Sequence, residues 1–241
     1  MRFYGGKGIQ GKQISAVILN MVNDPDTIYI EPFCGALGVL RHVSETFKKC
    51  YANDLCKDLI MLLKIVKSGE FVNPKITKKK WVYYKYNTKH SAERAFAGFG
   101  CSYGGVWFNG YIDDSSNNDM IYSSLIRLIP RLQNTIFCNK NYIDFLKDIP
   151  LGSGQKYVIY LDPPYKGTCN LPWEKDKNFD SDEFWNVVRK LGKIKNVTVI
   201  VSELSAPSDF KCVYKFKRKN GMHNVSDKTL IEEKLYTTRS I

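Results

Sequence analysis

Apolar positions recur at helical spacing over residues 12–21, where Ile14, Val17, Ile18 and Met21 share one stripe. Thr27-Ile28-Tyr29-Ile30 reads as a short buried strand, and it runs into Glu31-Pro32-Phe33-Cys34-Gly35-Ala36-Leu37-Gly38. A helical pattern resumes through Leu40 and Val43. A second strand around Cys50-Tyr51-Ala52 ends at Asn53-Asp54, and Leu59, Leu62, Leu63 and Val66 then mark another helix. Strand, glycine turn, helix, strand, helix is the opening of a parallel α/β sheet.

The rhythm breaks over residues 68–118, which are rich in Lys, Tyr, Gly and Asn and show little periodicity. A helix returns with Ile121, Leu125, Leu128, Ile129 and Leu132. Strands are expected at Thr135-Ile136-Phe137-Cys138, Tyr157-Val158-Ile159-Tyr160-Leu161 and Val197-Thr198-Val199-Ile200-Val201, with a helix through Phe184, Val187, Val188 and Leu191 before the last. Apolar runs near Val213 and Leu235 flank a Lys/Asn/Gly-rich stretch and predict a hairpin with a long loop. The fold expected is α/β, one mostly parallel Rossmann-like sheet built by residues 1–67 and 119–241. Residues 68–118 form an insertion too long to be an idle connection.

Charge sharpens this picture. The chain has 241 residues and a formal charge of +12, from 36 Lys and Arg against 24 Asp and Glu. That excess points to a polyanionic partner, or else to a lysine-rich solvated surface. Seven cysteines without a C-x-x-C pair, beside three histidines, give no zinc-ligand pattern, so no metal is expected and the thiols are expected to be reduced. No apolar run has membrane-spanning length and the first residues lack a signal-peptide core, so a soluble, intracellular protein is expected.

The candidate chemistry sits at strand ends. Asp162-Pro163-Pro164-Tyr165 directly follows an apolar strand, at the carboxyl edge where open α/β sheets bind ligands. The tetrapeptide suits an aromatic exocyclic amine, whose lone pair is delocalised into its ring. A carboxylate and a backbone carbonyl that accept both N–H bonds orient such a group and favour a tetrahedral nitrogen. The prolines remove competing donors, and the tyrosine offers a face for a base taken out of its stack. The glycine turn after the first strand allows close backbone approach to a cofactor but lacks the pyrophosphate fingerprint. Asp54 follows 23 residues after Glu31, at the place of a ribose-binding acid.

Five pieces in order resemble the Dam-type adenine-specific DNA methyltransferases, especially compact phage and viral members. They are Phe3-Tyr4-Gly5-Gly6-Lys7, the Glu31–Gly38 turn, Ala52-Asn53-Asp54, Gly104-Gly105-Val106-Trp107-Phe108-Asn109-Gly110-Tyr111, and Asp162-Pro163-Pro164-Tyr165. The resemblance implies S-adenosylmethionine (SAM) as cofactor and double-stranded DNA as partner, with a cognate restriction endonuclease as a further candidate partner. It implies that Phe3 and Lys7 contact SAM, that the backbone around Phe33 and Gly35 holds its methionine part, that Glu31 is a further cofactor-site residue, and that Asp54 binds its ribose. Asp162 would accept the flipped adenine's amine and also border the cofactor, with Tyr165 on the base. Asn141-Tyr142 stands where relatives often have an acid before an aromatic residue near the cofactor's adenine. The catalytic unit is then 1–67 plus 119–241, and 68–118 is the target-recognition insertion. Within it Lys78, Lys79, Lys80 and Lys89 are candidate phosphate contacts, and Arg94, Asn109 and Tyr111 candidate base readers. Trp107 and Phe108 are expected to anchor the insertion. Lys215, Lys217, Arg218 and Lys219 form a second basic cluster, facing DNA or decorating a hairpin. Alternatives are 4-amino methylation of cytosine, methylation of an amine in RNA or protein, and an inactive DNA-binding module.

Overall fold

The computed structural model describes residues 1, 6–87, 89–152, 154–164, 179–219 and 230–238. Most predicted elements form where the apolar pattern placed them, but the helix expected through Leu132 stops at Ile126 before a 3-10 turn over Ile129–Leu132, and the helix over Tyr142–Lys147 had no counterpart in the pattern. The first elements are α1 (Gly11–Met21), β1 (Ile28–Glu31), α2 (Leu40–Val43), β2 (Lys49–Asn53) and α3 (Lys57–Ser68). Residues 68–118 hold α4 (Lys78–Tyr86) and α5 (Ala92–Ala95), and after them come α6 (Ser115–Ile126), β3 (Thr135–Cys138), α7 (Tyr142–Lys147), β4 (Tyr157–Leu161), α8 (Ser181–Gly192) and β5 (Val197–Glu203). The expected hairpin is β6 (Lys211–Lys219) with β7 (Leu230–Thr237), paired antiparallel.

The sheet runs β3-β2-β1-β4-β5-β7-β6. Its first five strands pair in parallel, and β7 joins β5 antiparallel. Such a sheet must be covered on both faces, and β4 at its centre is buried at every residue. Val158 and Tyr160 face a core shared with α1, α2 and α3, while Tyr157, Ile159 and Leu161 face α7 and α8. The order reverses between β1 and β4, so a crevice opens beyond their carboxyl ends, where Glu31 and Asp162 lie.

The stretch 68–118, which lacks a clear period, nonetheless folds on the body of the protein. It contains α4 (Lys78–Tyr86), α5 (Ala92–Ala95) and a π-helical turn over Phe96–Gly100. Phe71, Ile76, Trp81, Phe96, Phe99 and Phe108 enter the same core as α1–α3. A Cβ on Gly98 would lie 2.6 Å from the Trp107 ring and 2.9 Å from Phe108, so only glycine lets that aromatic pair close on the turn. Trp107 and Phe108 therefore anchor the segment, as expected. No helix among the described residues is long and apolar enough to cross a membrane.

Candidate active site

Hydrogen bonds from β2 hold the turn after β1. The Asn53 amide donates to the carbonyls of Pro32 and Lys140, each at 3.0 Å, and its oxygen accepts from Lys140 N–H at 2.9 Å. One buried side chain thus ties the loops after β1, β2 and β3 together. Cys34 N–H donates to the Asn53 carbonyl at 2.8 Å. Asp54 braces the same turn, since its carboxylate accepts from Gly35 N–H and from Cys56 N–H, both at 2.9 Å. Burial pushes the Asp54 carboxyl above its ordinary range, and the two backbone donors oppose that push.

Glu31 is buried at the end of β1 and accepts from the Tyr29 hydroxyl at 2.8 Å. Burial first, and Asp162 nearby, hold its carboxyl well above the usual carboxylate range, against the Tyr29 bond. Phe33 lies tilted against Tyr142, ring centroids 5.1 Å apart, with Phe179 and Phe184 completing an aromatic shelf. The Tyr142 hydroxyl is buried and has no hydrogen-bond partner among the described residues, and burial pushes it up to about 12. A buried phenol in that state suits a polar atom of a ligand. Asn141 N-caps α7, its side chain accepting from Ile143 N–H at 2.9 Å. An amide caps a helix as well as an acid does, so Asn141 holds the start of α7.

Asp162 and buried Pro163 follow β4, with Pro164 half-buried beyond them. Lys7 approaches from the N-terminal segment, its ammonium 2.5 Å from Asp162 Oδ1 and 2.8 Å from Glu233 on β7. Burial alone would push the Lys7 ammonium down, but the two carboxylates outweigh it and the net direction is up. The Lys7 ammonium is thus directed at the carboxylates of Asp162 and Glu233. Gly38 explains the path of this segment. A Cβ there would lie 2.9 Å from the Lys7 nitrogen, and one on Gly11 would lie 1.9 Å from the Gly38 carbonyl oxygen. The second glycine of the turn makes room for the chain that carries Lys7. Glu233 carried no signal in the sequence, because one of two adjacent acids in a predicted hairpin points nowhere. Phe3 and Tyr165 lie outside the described residues.

The candidate DNA-binding residues divide. Lys78, Lys79 and Lys80 open α4 and are exposed, as is Lys89. The Lys80 ammonium donates to the Pro74 carbonyl at 2.8 Å. Tyr83 and Tyr86 stand exposed on the same helix. Asn109 is exposed. Arg94 is largely buried. Its side chain is 14% exposed, and its guanidinium donates to Asp58 at 2.9 Å and to the Tyr84 carbonyl at 3.1 Å and covers the Trp107 ring at 5.0 Å. Tyr111 likewise turns inward, its hydroxyl donating to the Ile76 carbonyl at 2.9 Å and its ring lying near Trp81. Sequence alone could not separate these from surface residues, because the partner of each is remote in the chain. Lys215 and Lys217 on β6 are exposed, and Lys215 pairs with Glu232 at 3.6 Å. The side chains of Arg218 and Lys219 lie outside the described residues, as do residues 220–229.

Comparison with known proteins gives one family. Residues 3–128 match the model of the D12 class N6 adenine-specific DNA methyltransferase. No curated protein matches the chain. Among solved structures, an rRNA methylase from Streptococcus thermophilus aligns over 94% of this chain and 96% of its own, at 9% identity and a TM-score of 0.40. The precorrin 8W decarboxylase of Methanobacterium thermoautotrophicum aligns over 93% and 89%, at 10% identity and a TM-score of 0.39. The family assignment rests on the match over residues 3–128 alone.

Proposed function

The chain belongs to the D12 class of N6 adenine-specific DNA methyltransferases, and on that premise we propose how its residues carry out the transfer. The observation that carries the reading is the turn at the end of β4. There a partly exposed carboxylate stands at the switch point, opposite the braced turn after β1. The cytosine, RNA, protein and inactive-module alternatives have no support of their own.

SAM is the cofactor in this reading, and it supplies an electrophilic methyl group on a sulfonium. The site suits it: the aromatic shelf of Phe33 and Tyr142 offers an apolar face, and the Tyr142 hydroxyl lacks a protein partner among the described residues. Glu31, Phe33 and Gly35 hold the methionine part, Asp54 the ribose, and Tyr142, beside Asn141, the adenine. Phe3 adds a further contact to the cofactor from the N-terminal segment.

The target adenine leaves the DNA stack and enters the crevice. Asp162 and the Pro163 carbonyl accept the two N–H bonds of its amine, and neither proline offers a competing donor. Pro164 keeps the turn stiff, and Tyr165 stacks on the base. Lys7 keeps a positive charge against Asp162, which favours its ionised, accepting form. On the duplex side, residues 68–118 form the recognition region, with Lys78, Lys79, Lys80 and Lys89 on phosphates and Asn109 near base edges. Lysines in the first turn of a helix oppose its dipole, so their placement at α4 is one that stability does not favour and a phosphate would.

The test is transfer of tritium from methyl-labelled SAM to plasmid DNA from a methylation-free host, followed by nucleoside analysis. N6-methyladenine should form with the parent and not with Asp162→Ala, while calorimetry shows that the variant still binds SAM. Label on cytosine, or full activity in Asp162→Ala, would overturn the reading.

A further inference from the structure

The sheet order brings β1, β4, β5 and β7 side by side, and their alternation places Glu31, Asp162, Ser202 and Glu233 on one face at the carboxyl edge. Two of these converge on Lys7. Its side chain is 4% exposed, and its ammonium lies 2.5 Å from Asp162 and 2.8 Å from Glu233. Glu233 is fully buried and accepts from the Ser202 hydroxyl at 2.8 Å through the same oxygen that faces Lys7. At its other end Lys7 is fixed by its backbone, which accepts from Gly11 N–H at 2.6 Å and is packed on Gly38.

Glu233 pairs with Phe216 across the β6–β7 hairpin, so the hairpin delivers a second buried carboxylate to the ammonium that faces Asp162. We propose that Glu233 is a positioning residue for methyl transfer. From the C-terminal hairpin it draws the Lys7 ammonium into a fixed place, so that Lys7 sets the orientation of the Asp162 carboxylate. The hairpin is thereby part of the catalytic apparatus, although, like Asp162, it lies outside residues 3–128, which match the family model. The inference rests on the reading of Asp162 as the group that accepts the amine.

Glu233→Gln keeps the shape and an acceptor for Ser202 but removes the charge that holds Lys7. In single-turnover methylation of plasmid DNA from a methylation-free host, its rate should fall about 10- to 100-fold, the scale of a small misplacement of a reacting group. SAM affinity by calorimetry and KM for DNA should stay near parental, because neither ligand is bound by Glu233. Lys7→Met should show a similar or larger loss, and Lys7→Met/Glu233→Gln should be no slower than Lys7→Met, since the second change acts only through the first. A parental rate in Glu233→Gln, or losses that multiply in the double variant, would overturn the proposal. If Glu233→Gln does not fold, Ser202→Ala serves in its place. It should lose several-fold in rate with SAM binding kept, and an unchanged rate would overturn the proposal equally. Asp162→Asn run alongside separates the failures. If it is inactive while Glu233→Gln is fully active, only the role of Glu233 falls. If it is active, the reading of Asp162 falls and this inference with it.

Discussion

Arg94 separates two accounts of the insertion, one in which it reads DNA and one in which it holds the fold. Asp58 lies buried in the first turn of α3 and accepts from Ser91 N–H at 2.7 Å, from Arg94 at 2.9 Å, and faces His90 at 2.8 Å. Arg94→Met keeps most of the apolar stem and removes the guanidinium. The charge-assisted bond to Asp58 is worth about 1.5–3 kcal/mol, and the stacking on Trp107 about 0.5–2 kcal/mol in so covered a place. These overlap, and Asp58 keeps two partners, so the net loss is placed at about 3 kcal/mol, the low end of the range for stranding a buried charge. For a chain of this size each kcal/mol moves the melting temperature by about 2–4 °C, giving a fall of about 6–12 °C. The assay pairs thermal unfolding with sequencing of DNA methylated in cells by the variant. The methylated motif should be unchanged. A parental melting temperature together with a relaxed motif would refute the reasoning and return Arg94 to base reading, where removing a bidentate bond to a base costs about 1–3 kcal/mol of discrimination.

Other outcomes follow from the same geometry. Gly38→Ala should cost much of the activity while leaving the sheet folded, because its Cβ would press on the Lys7 backbone; parental turnover with normal melting would contradict this. Replacing Lys78, Lys79 and Lys80 by Ala should flatten the dependence of log affinity for DNA on log salt by up to about 0.9 for each phosphate no longer neutralised, and an identical slope would return them to a solvated surface. Burial first, with Asp162 and Glu233 adding, raises Glu203 from 4.5 to about 7. Between those values the native chain binds the proton that the unfolded chain has released, so stability declines as pH rises from about 4.5 through about 7. Glu203→Gln should remove that part of the decline in melting temperature against pH, and an unaltered profile would count against the raised carboxyl.

What the sequence determined by itself is local. The alternation and helical spacing of apolar residues delivered the strands, and the two motifs fell where strands end, because periodicity and turn chemistry act within a few residues. The parallel body, the crevice between β1 and β4, and Asp162 at its edge were therefore legible, as was the anchoring role of Trp107 and Phe108. The helix α4 was not, since its run of Lys and Tyr carries no apolar stripe and only Trp81 is buried. Tertiary structure alone decided the partners of charged and polar side chains. Lys7 meets Asp162 155 residues away, and Arg94 meets Asp58 36 residues away. Asn53 joins three loops because three parallel strands end side by side. Glu233 reaches Lys7 because β7 pairs with β5 in a register that sets Ser202 against Leu235. A shift of one residue would turn Glu233 to the opposite face. Such pairings depend on the register of distant strands and on which face each residue takes once the sheet is assembled, and no local pattern encodes them.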